Sequence, residues 1–270
     1  MKYRLNLEKG RIHMLSFSDW SEEVHQEVGG HALCLLTISD GKHGAARDLA
    51  IGAVPEHYAS PKKLASIFEK LGKEAVADFL RTKLPTKASL RSGDLGEIFA
   101  TEYIDERTEF SAPVKRLRWK DHREMAMRGD DVIGIRLIEE GRRIRFLKAE
   151  AKSEASLKTR TVERARDALN GDNGLPSSHA LSFMSQRLFD MGQEAFADAI
   201  DLALLRDGII AGQVHHMVFA FSGNDPAGFL RADLEKYNGP IRQQPVGLRI
   251  NEHQEFIASV FDGVLKGDEY

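Results

Sequence analysis

The sequence of 270 residues has only one cysteine and lacks a long apolar run. Cys34 has no partner within the chain, so disulfides and cysteine-based zinc sites are excluded. No stretch approaches the roughly 18 consecutive apolar residues that a membrane span needs, and the N-terminus MKYRLNLEKG lacks the apolar core of a signal peptide. We therefore expect a cytoplasmic protein that has no contact with a membrane.

A large charge of one sign is also missing, since 38 Lys and Arg face 41 Asp and Glu, for a formal net charge of -3. This balance argues against a protein that coats nucleic acid over its whole surface, although it allows a local basic groove. The segment GKHGAA lacks the spacing and the hydroxyl of a phosphate-binding P-loop. An ATP-driven motor would therefore have to come from another chain.

The apolar pattern predicts an α/β protein in two parts. In the first part, HALCLLTI and DLAIGAV are predicted as strands, and residues 60–84 as a helix with Ser60 as its N-cap and Pro61 as its first residue. The segment LPTKASLRSG that follows has the composition of a linker. We place an N-terminal α/β region at 1–86 and a second domain at 87–270.

The second part alternates helices and strands. DLGEIFATEYIDE is predicted as a helix, VIGIRLI and RIRFLKAEAKS as a hairpin joined at EEGR, and VHHMVFAFSG as a buried strand. Further helices are predicted in TVERARDAL, SFMSQRLFDMGQEAFADAIDLALLRDG, LRADLEKYN and HQEFIASVFDGVL. This succession is typical of helices packed on a sheet.

The hairpin carries opposite charges within an apolar strand. Glu150 and Lys152 lie two residues apart and therefore point to one face. Antiparallel pairing of 131–138 with 143–152 would place Asp131 beside Glu150. Carboxylates in this arrangement are ligands for Mg²⁺, which promotes phosphodiester hydrolysis, and a nearby lysine can orient the attacking water. The carbonyl of Ala151 would be a further oxygen ligand.

Each of these residues also has a structural alternative. Glu150 and Lys152 could be an exposed pair on an edge strand, and Asp131 could be a turn residue. Asp130 competes with Asp131, although strand alternation favours Asp131 because it shares the apolar face. Glu97, on the preceding helix, could complete the metal site or form a capping box with Asp94. The same acid and lysine spacing recurs at residues 40 and 42, but there it lies in a turn.

Two basic segments flank the hairpin: KRLRWKDHREMAMR, which contains Trp119, and a later group of four cations, Lys158, Arg160, Arg164 and Arg166. Either segment could follow a phosphate backbone, with the tryptophan stacking on a base or sugar. Charge runs of this kind also occur simply as solvated surfaces.

Taken together, GDLGEIF, RGDDVIG and AEAKS resemble the motifs of the PD-(D/E)xK nuclease superfamily, whose core is a mixed sheet flanked by helices. The longer pattern GDLGEIFATEYI, RGDDVIG and FLKAEAKS is similar to the HamA subunits of Hachiman antiphage defence systems. This resemblance implies a DNA-degrading effector that works with a separately encoded helicase subunit, HamB. It also implies that Asp131, Glu150 and Lys152 are catalytic, that Glu97 assists at the metal, and that the metal is Mg²⁺, with Mn²⁺ as a possible substitute.

Three other functions remain open at this point. The chain could be a restriction-type endonuclease that cuts alone, a nuclease fold that has lost activity and only binds DNA or protein, or a structural protein. Under the defence hypothesis, we expect the N-terminal region to dock the partner or to restrain the nuclease.

Overall fold

The computed structural model describes residues 15–127, 129–139 and 143–267. Its strands are β1 (Ser21–Val28), β2 (His31–Ile38), β3 (Val132–Ile138), β4 (Arg143–Glu154), β5 (Val214–Ser222), β6 (Arg242–Gln243) and β7 (Val246–Arg249). Its helices are α1 (His43–Tyr58), α2 (Pro61–Leu71), α3 (Lys73–Lys83), α4 (Ala88–Arg107), α5 (Thr159–Asn170), α6 (Ser178–Asp190), α7 (Glu194–Leu202), α8 (Ala227–Lys236) and α9 (His253–Lys266).

All the strands belong to one mixed sheet with the order β1-β2-β7-β5-β4-β3, and β6 pairs with β5 beside this path. The pairs at the two ends of the sheet are antiparallel, whereas the central pairs are parallel. The central strand β5 is buried along its whole length, as parallel strands covered on both faces are. The predicted class, a mixed sheet flanked by helices, is confirmed, and it is compatible with a nuclease-like core.

Helices cover both faces of the sheet because alternate strand residues point to opposite sides. On one face, α1, α4 and α9 pack around Phe219 and Phe221 of β5. On the other face, α6 and α7 cover Phe146 of β4, and α5 and α8 cover Val218 and Ala220 of β5. The candidate site therefore has to lie where a helix and the sheet separate.

One predicted strand and part of the predicted linker form helices instead. DLAIGAV lies within α1, where Ala50, Ala53 and Val54 are buried at helical spacing, so the strand prediction was wrong. The predicted linker is shorter than expected, because α4 begins at Ala88 and includes Ser92. The Ser92 hydroxyl is 2.8 Å from the hydroxyl of Ser153 on β4, which anchors this first part of the helix to the sheet.

The predicted N-cap of the helix after residue 60 is confirmed. Pro61 is the first residue of α2, and the Ser60 hydroxyl accepts a hydrogen bond of 3.3 Å from the Lys63 backbone N–H. The helix ends earlier than predicted, at Leu71, because Gly72 adopts a φ of +84° and α3 starts anew behind it. The single helix predicted here is therefore two helices, α2 and α3.

The predicted boundary near residue 86 falls between α3 and α4. On its N-terminal side, β2 pairs with β7 from Cys34↔Val246 to Thr37↔Arg249. Trp20 and Tyr58 lie in the same hydrophobic cluster as Phe99 and Phe261. The two predicted regions therefore share one sheet and one core. Within the described part of the chain, no helix is long and apolar enough to cross a membrane.

Candidate active site

The hairpin of β3 and β4 has the predicted antiparallel register, from Val132↔Ala149 to Ile138↔Arg143. Continuing this register by one residue sets Asp131 opposite Glu150. β4 lies between β3 and β5, but β3 pairs with it only as far as Ala149, so Glu150 and Lys152 pair with β5 on one side and lie at an open edge on the other. The predicted turn falls largely on residues 140–142, which lie outside the described residues.

Asp131 contacts β4 just before the start of β3. Its Oδ2 accepts a hydrogen bond of 3.0 Å from the backbone N–H of Ala151. In a strand, the N–H and C=O of one residue point toward the same neighbouring strand. The Ala151 carbonyl therefore faces the edge where Asp131 lies, as a ligand oxygen there would have to.

Glu97 reaches the same place from α4. Gly96 allows the approach, because a Cβ at this position would lie 3.2 Å from the Ser153 Cβ on β4. Glu97 Oε2 accepts a hydrogen bond of 3.1 Å from Arg116 Nε, and Asp131 Oδ1 accepts one of 3.2 Å from Arg116 Nη2. One guanidinium thus joins the two carboxylates. The capping-box alternative is wrong, because Asp94 lies in the interior of α4.

Glu150 and Lys152 complete the group. The Lys152 Nζ lies 2.5 Å from Glu150 Oε1, and both side chains remain partly accessible, with 24% and 13% of their surfaces exposed. A lysine that is held by one carboxylate and still open to solvent can reach a substrate. All four predicted side chains are therefore gathered around the start of β3.

The electrostatics of the group favour a cation. Burial raises the pKa of Glu150 to about 7, and the Asp131 carboxylate adds to this rise. Burial also raises the pKa of Glu97 to about 7, with Arg116 opposing the shift and Asp131 adding to it. Crowded carboxylates whose ionised forms are disfavoured are typical of functional sites, because a bound cation would relieve the repulsion.

Asp130 and Asp131 have separate surroundings. Asp130 Oδ1 is 3.3 Å from the Nζ of the buried Lys148, and Asp130 Oδ2 accepts a hydrogen bond of 2.8 Å from the Ser177 N–H. Asp130 is therefore occupied with connecting the hairpin to the start of α6. Asp131 alone of this pair faces Glu150, in agreement with the alternation argument.

A cavity of about 80 Å³ adjoins the carboxylates. Glu97, Arg116 and Asp131 line its polar side, while Phe183 and Met184 of α6 line its apolar side. Trp119, predicted as a possible base-stacking residue, packs edge-on against Phe183, with ring centroids 5.9 Å apart. The tryptophan thus packs against α6, on a residue that lines the cavity.

The first basic segment is attached to the protein rather than presented to solvent. Lys115 Nζ lies 2.6 Å from Glu102 Oε1, Lys120 Nζ lies 2.6 Å from Asp94 Oδ2, and Arg118 Nε donates to a backbone carbonyl of α1 at 2.7 Å. Lys115, Arg118 and Lys120 are therefore engaged within the protein, whereas Arg123 stays partly exposed, and a path for a phosphate backbone along this segment remains a prediction. Arg128, in the same segment, lies outside the described residues.

The second basic group differs. Lys158, Arg160 and Arg164 are exposed at and near the start of α5, which follows β4 directly. Arg166, in contrast, forms an ion pair of 2.6 Å with Asp233 and stacks over the ring of Tyr237. Arg164 pairs with Glu154 at 3.2 Å, so Lys158 and Arg160 are the two cations of this group best placed to meet a polyanion.

A separate group of potential ligands lies on the first hairpin, and among the described residues it is this group, not the three carboxylates around Arg116, whose ligand atoms already lie close enough together to share an ion. Glu23, His25 and Cys34 offer ligand atoms within 4.8 Å of one another. Glu23, however, forms an ion pair with Arg107, and burial raises the pKa of the Cys34 thiol to about 12, so the thiol keeps its proton. We assign no metal to this group.

Arg116 is the site residue that sequence reasoning did not single out. It was counted only as one of several cations in KRLRWKDHREMAMR. Its position depends on the 3₁₀ turn Arg116–Trp119 and on the buried Leu117, which bring the segment over α4. No spacing in the sequence signals this contact.

The comparisons with known proteins identify the family of this chain. The model of the HamA family matches residues 14–264. A Hachiman protein HamA of Bacillus cereus is 24% identical over 228 residues, which cover 83% of this chain and 80% of the relative. The match includes every residue of the candidate site, and with nearly the whole chain covered by the family model, this protein belongs to the HamA family.

Proposed function

We propose that this chain is a metal-dependent deoxyribonuclease, the effector of a Hachiman antiphage system that acts with a separate helicase subunit. The observation that carries the proposal is that Arg116 joins Glu97 to Asp131 at the start of β3, where Asp131 also contacts the strand that carries Glu150 and Lys152. Three carboxylates and a lysine on a hairpin and a helix are the groups that hydrolysis of a phosphodiester requires.

The residues present fit a hard divalent cation. Asp131, Glu150 and the Ala151 carbonyl would hold Mg²⁺ or Mn²⁺, and Glu97 would complete the set. These are all oxygen donors, which such ions prefer. When bound, the ion would neutralise phosphate charge and lower the pKa of water.

The side chains of the protein have distinct roles in this hypothesis. The ammonium of Lys152 has three donors, of which one contacts Glu150, so the others can hold the attacking water or a phosphate oxygen. Glu150 in turn orients Lys152. The hydrogen bond from Ala151 N–H orients the carboxylate of Asp131 so that it faces the same edge.

Family membership and surface charge support DNA as the substrate and a helicase as the partner. The Bacillus cereus relative is named as a component of a Hachiman system. In the present chain, the exposed cations Lys158 and Arg160 lie just beyond the strand that carries Glu150 and Lys152, where a nucleic acid backbone could pass.

The test is DNA cleavage by the chain together with the helicase subunit that the proposal requires. We expect cleavage by the wild type in Mg²⁺, no cleavage in EDTA, and a loss of at least about 100-fold in both Glu150→Ala and Lys152→Ala. Cleavage in EDTA, or full activity in both variants, would contradict the proposal. Binding of DNA without cleavage by any form would instead indicate an inactive binding module.

A further inference from the structure

The cation closest to the carboxylates is part of the protein itself. The Arg116 guanidinium donates to both oxygens of Glu97, at 3.1 and 3.4 Å, and to Asp131 Oδ1 at 3.2 Å. Its Nη1 also donates to the backbone carbonyl of Asp130 at 2.6 Å. The side chain is only 13% exposed, so these contacts are shielded from water.

This arrangement leaves a metal ion little room at Asp131. Of the two carboxylate oxygens, Oδ2 accepts the Ala151 N–H and Oδ1 accepts Arg116. The Ala151 N–H belongs to β4, which is held by β5, whereas the Arg116 contact is made by a flexible side chain. Of the two contacts, the one with Arg116 is therefore the easier to release.

Arg116 also stabilises the fold by neutralising the carboxylates around it. Buried carboxylates without a counter-charge repel one another and destabilise the fold. A guanidinium keeps its charge at every physiological pH and can span two carboxylates with its fixed fork of donors. It can therefore hold the site together in the absence of a metal.

We propose that Arg116 is a positioning residue that occupies the cation place between Glu97 and Asp131, and that a divalent metal binds by displacing its guanidinium from Asp131. This inference rests on the proposed metal site. It implies that the protein stays folded without metal. It also implies that the Arg116 guanidinium competes with the metal for Asp131 and so lowers the metal affinity of the site.

The test is calorimetric titration of the purified full chain with Mn²⁺ at about pH 8, where the carboxyl groups are ionised. Arg116→Gln removes the charge, and Arg116→Lys keeps it but cannot span two carboxylates. Arg118→Gln is the matched control, because Arg118 donates to the Glu56 carbonyl and contacts no carboxylate of the site.

We expect Arg116→Gln to bind Mn²⁺ roughly tenfold more tightly than the wild type, and Arg116→Lys to bind it with intermediate affinity. Arg118→Gln should stay within about twofold of the wild type. In EDTA, the melting temperature of Arg116→Gln should fall below that of the wild type, and Mn²⁺ should raise it more than it raises the wild-type value.

Unchanged or weaker Mn²⁺ binding in both Arg116 variants would overturn the inference, while the metal site would stand if Glu150→Gln abolishes wild-type binding. Should Arg116→Gln fail to fold in EDTA, Arg116→Lys decides the matter by the same criterion. If neither the wild type nor any Arg116 variant binds Mn²⁺, both the metal site and the inference drawn from it are wrong.

Discussion

Lys148 and Lys152 lie on the same face of β4, two strand repeats apart, and each is close to an acid. The Nζ of Lys148 contacts Asp130 Oδ1 at 3.3 Å and the carbonyls of Gly171 and Leu175 at 3.0 and 3.1 Å, and only 3% of the side chain is exposed. Lys152 contacts Glu150 and keeps 24% of its side chain exposed. All three donors of Lys148 are thus used by the protein, whereas Lys152 has donors left for a substrate.

The difference shows that residue type alone does not identify a catalytic lysine. The loop before α6 covers the Lys148 end of β4. The Gly171 and Leu175 carbonyls of this loop contact the ammonium, and the Ser177 N–H binds Asp130, which lies beside it. The Lys152 end extends beyond β3 and is open at that edge. Lys148 is therefore bound within the protein, whereas Lys152 keeps donors for the proposed nuclease reaction, and four experiments can test this comparison.

The largest effect should come from removing the lysine at the open end. We expect Lys152→Met to lower DNA cleavage about 1000-fold, because the positioned donor beside the carboxylates is lost. Its free energy of unfolding should change by less than about 1 kcal/mol, since the ion pair is partly solvated. Single-turnover cleavage and urea unfolding provide the two measurements, and a cleavage rate close to that of the wild type would refute the assignment.

Removing the lysine at the closed end should have the opposite outcome. Lys148→Met leaves Asp130 buried without its partner and should lower the free energy of unfolding by about 3 kcal/mol. The double variant with Asp130→Asn should recover part of this loss, as expected of residues in direct contact. Urea denaturation measures both values, and a stability loss below about 1 kcal/mol in the single variant would show that the pair is not structural.

A pH dependence of stability should arise beside Lys148. His216 pairs with Lys148 in the β4–β5 register, and burial lowers its pKa to about 4, with Arg166 and Lys148 adding to the fall while Asp130 and a hydrogen bond to the Gly174 carbonyl oppose it. As the pH falls, His216 is protonated in the unfolded chain before it is protonated in the folded one. Stability is therefore lost as the pH falls from about 6.5 to about 4.

His216→Gln should make this loss smaller by about 2 kcal/mol, because Gln cannot titrate and can still donate to the Gly174 carbonyl. Part of the loss should remain, since burial also lowers the pKa of His57 and of His253 to about 4. Urea unfolding at about pH 7 and about pH 4.5 provides the comparison. An identical pH dependence in wild type and variant would exclude His216 as its source.

The smallest effect should come from the surface beyond the open end. Arg160 is exposed in the first turn of α5, and Arg160→Ala should weaken DNA binding about equally for all sequences and lower the salt slope by about 1. Arg118→Gln removes the same charge from an internal contact and should leave the slope unchanged. Fluorescence anisotropy over a salt series measures both slopes, and equal slopes for the two variants would place the DNA elsewhere.

Much of the candidate site could be predicted from the sequence, because it depends on one local element. A hairpin pairs residues that are close along the chain, and strand alternation then determines which side chains share a face. The predicted register, the position of Asp131 opposite Glu150 and the choice of Asp131 over Asp130 all follow from that element. Glu97 lies on a helix that the spacing of Leu95, Ile98 and Phe99 predicts.

The errors have physical reasons as well. DLAIGAV has the composition of a short buried strand, and only its packing against α9 shows that it is helical. β1 was not predicted, because it is an edge strand with a mostly polar sequence that buries few side chains. The cations of KRLRWK were predicted to lie on a solvent-exposed or DNA-facing surface. The sequence does not show that carboxylates of α4, well before this segment in the chain, bind them in the folded protein.

What the sequence by itself determined is therefore the class of the fold, the hairpin and the identity of its acids and lysine, since these follow from local periodicity. Only the tertiary structure decided that Arg116 lies between Glu97 and Asp131, that Lys148 is closed and Lys152 open, and that both parts of the chain build one sheet. These features depend on contacts between segments far apart in the chain, whose geometry no local pattern encodes.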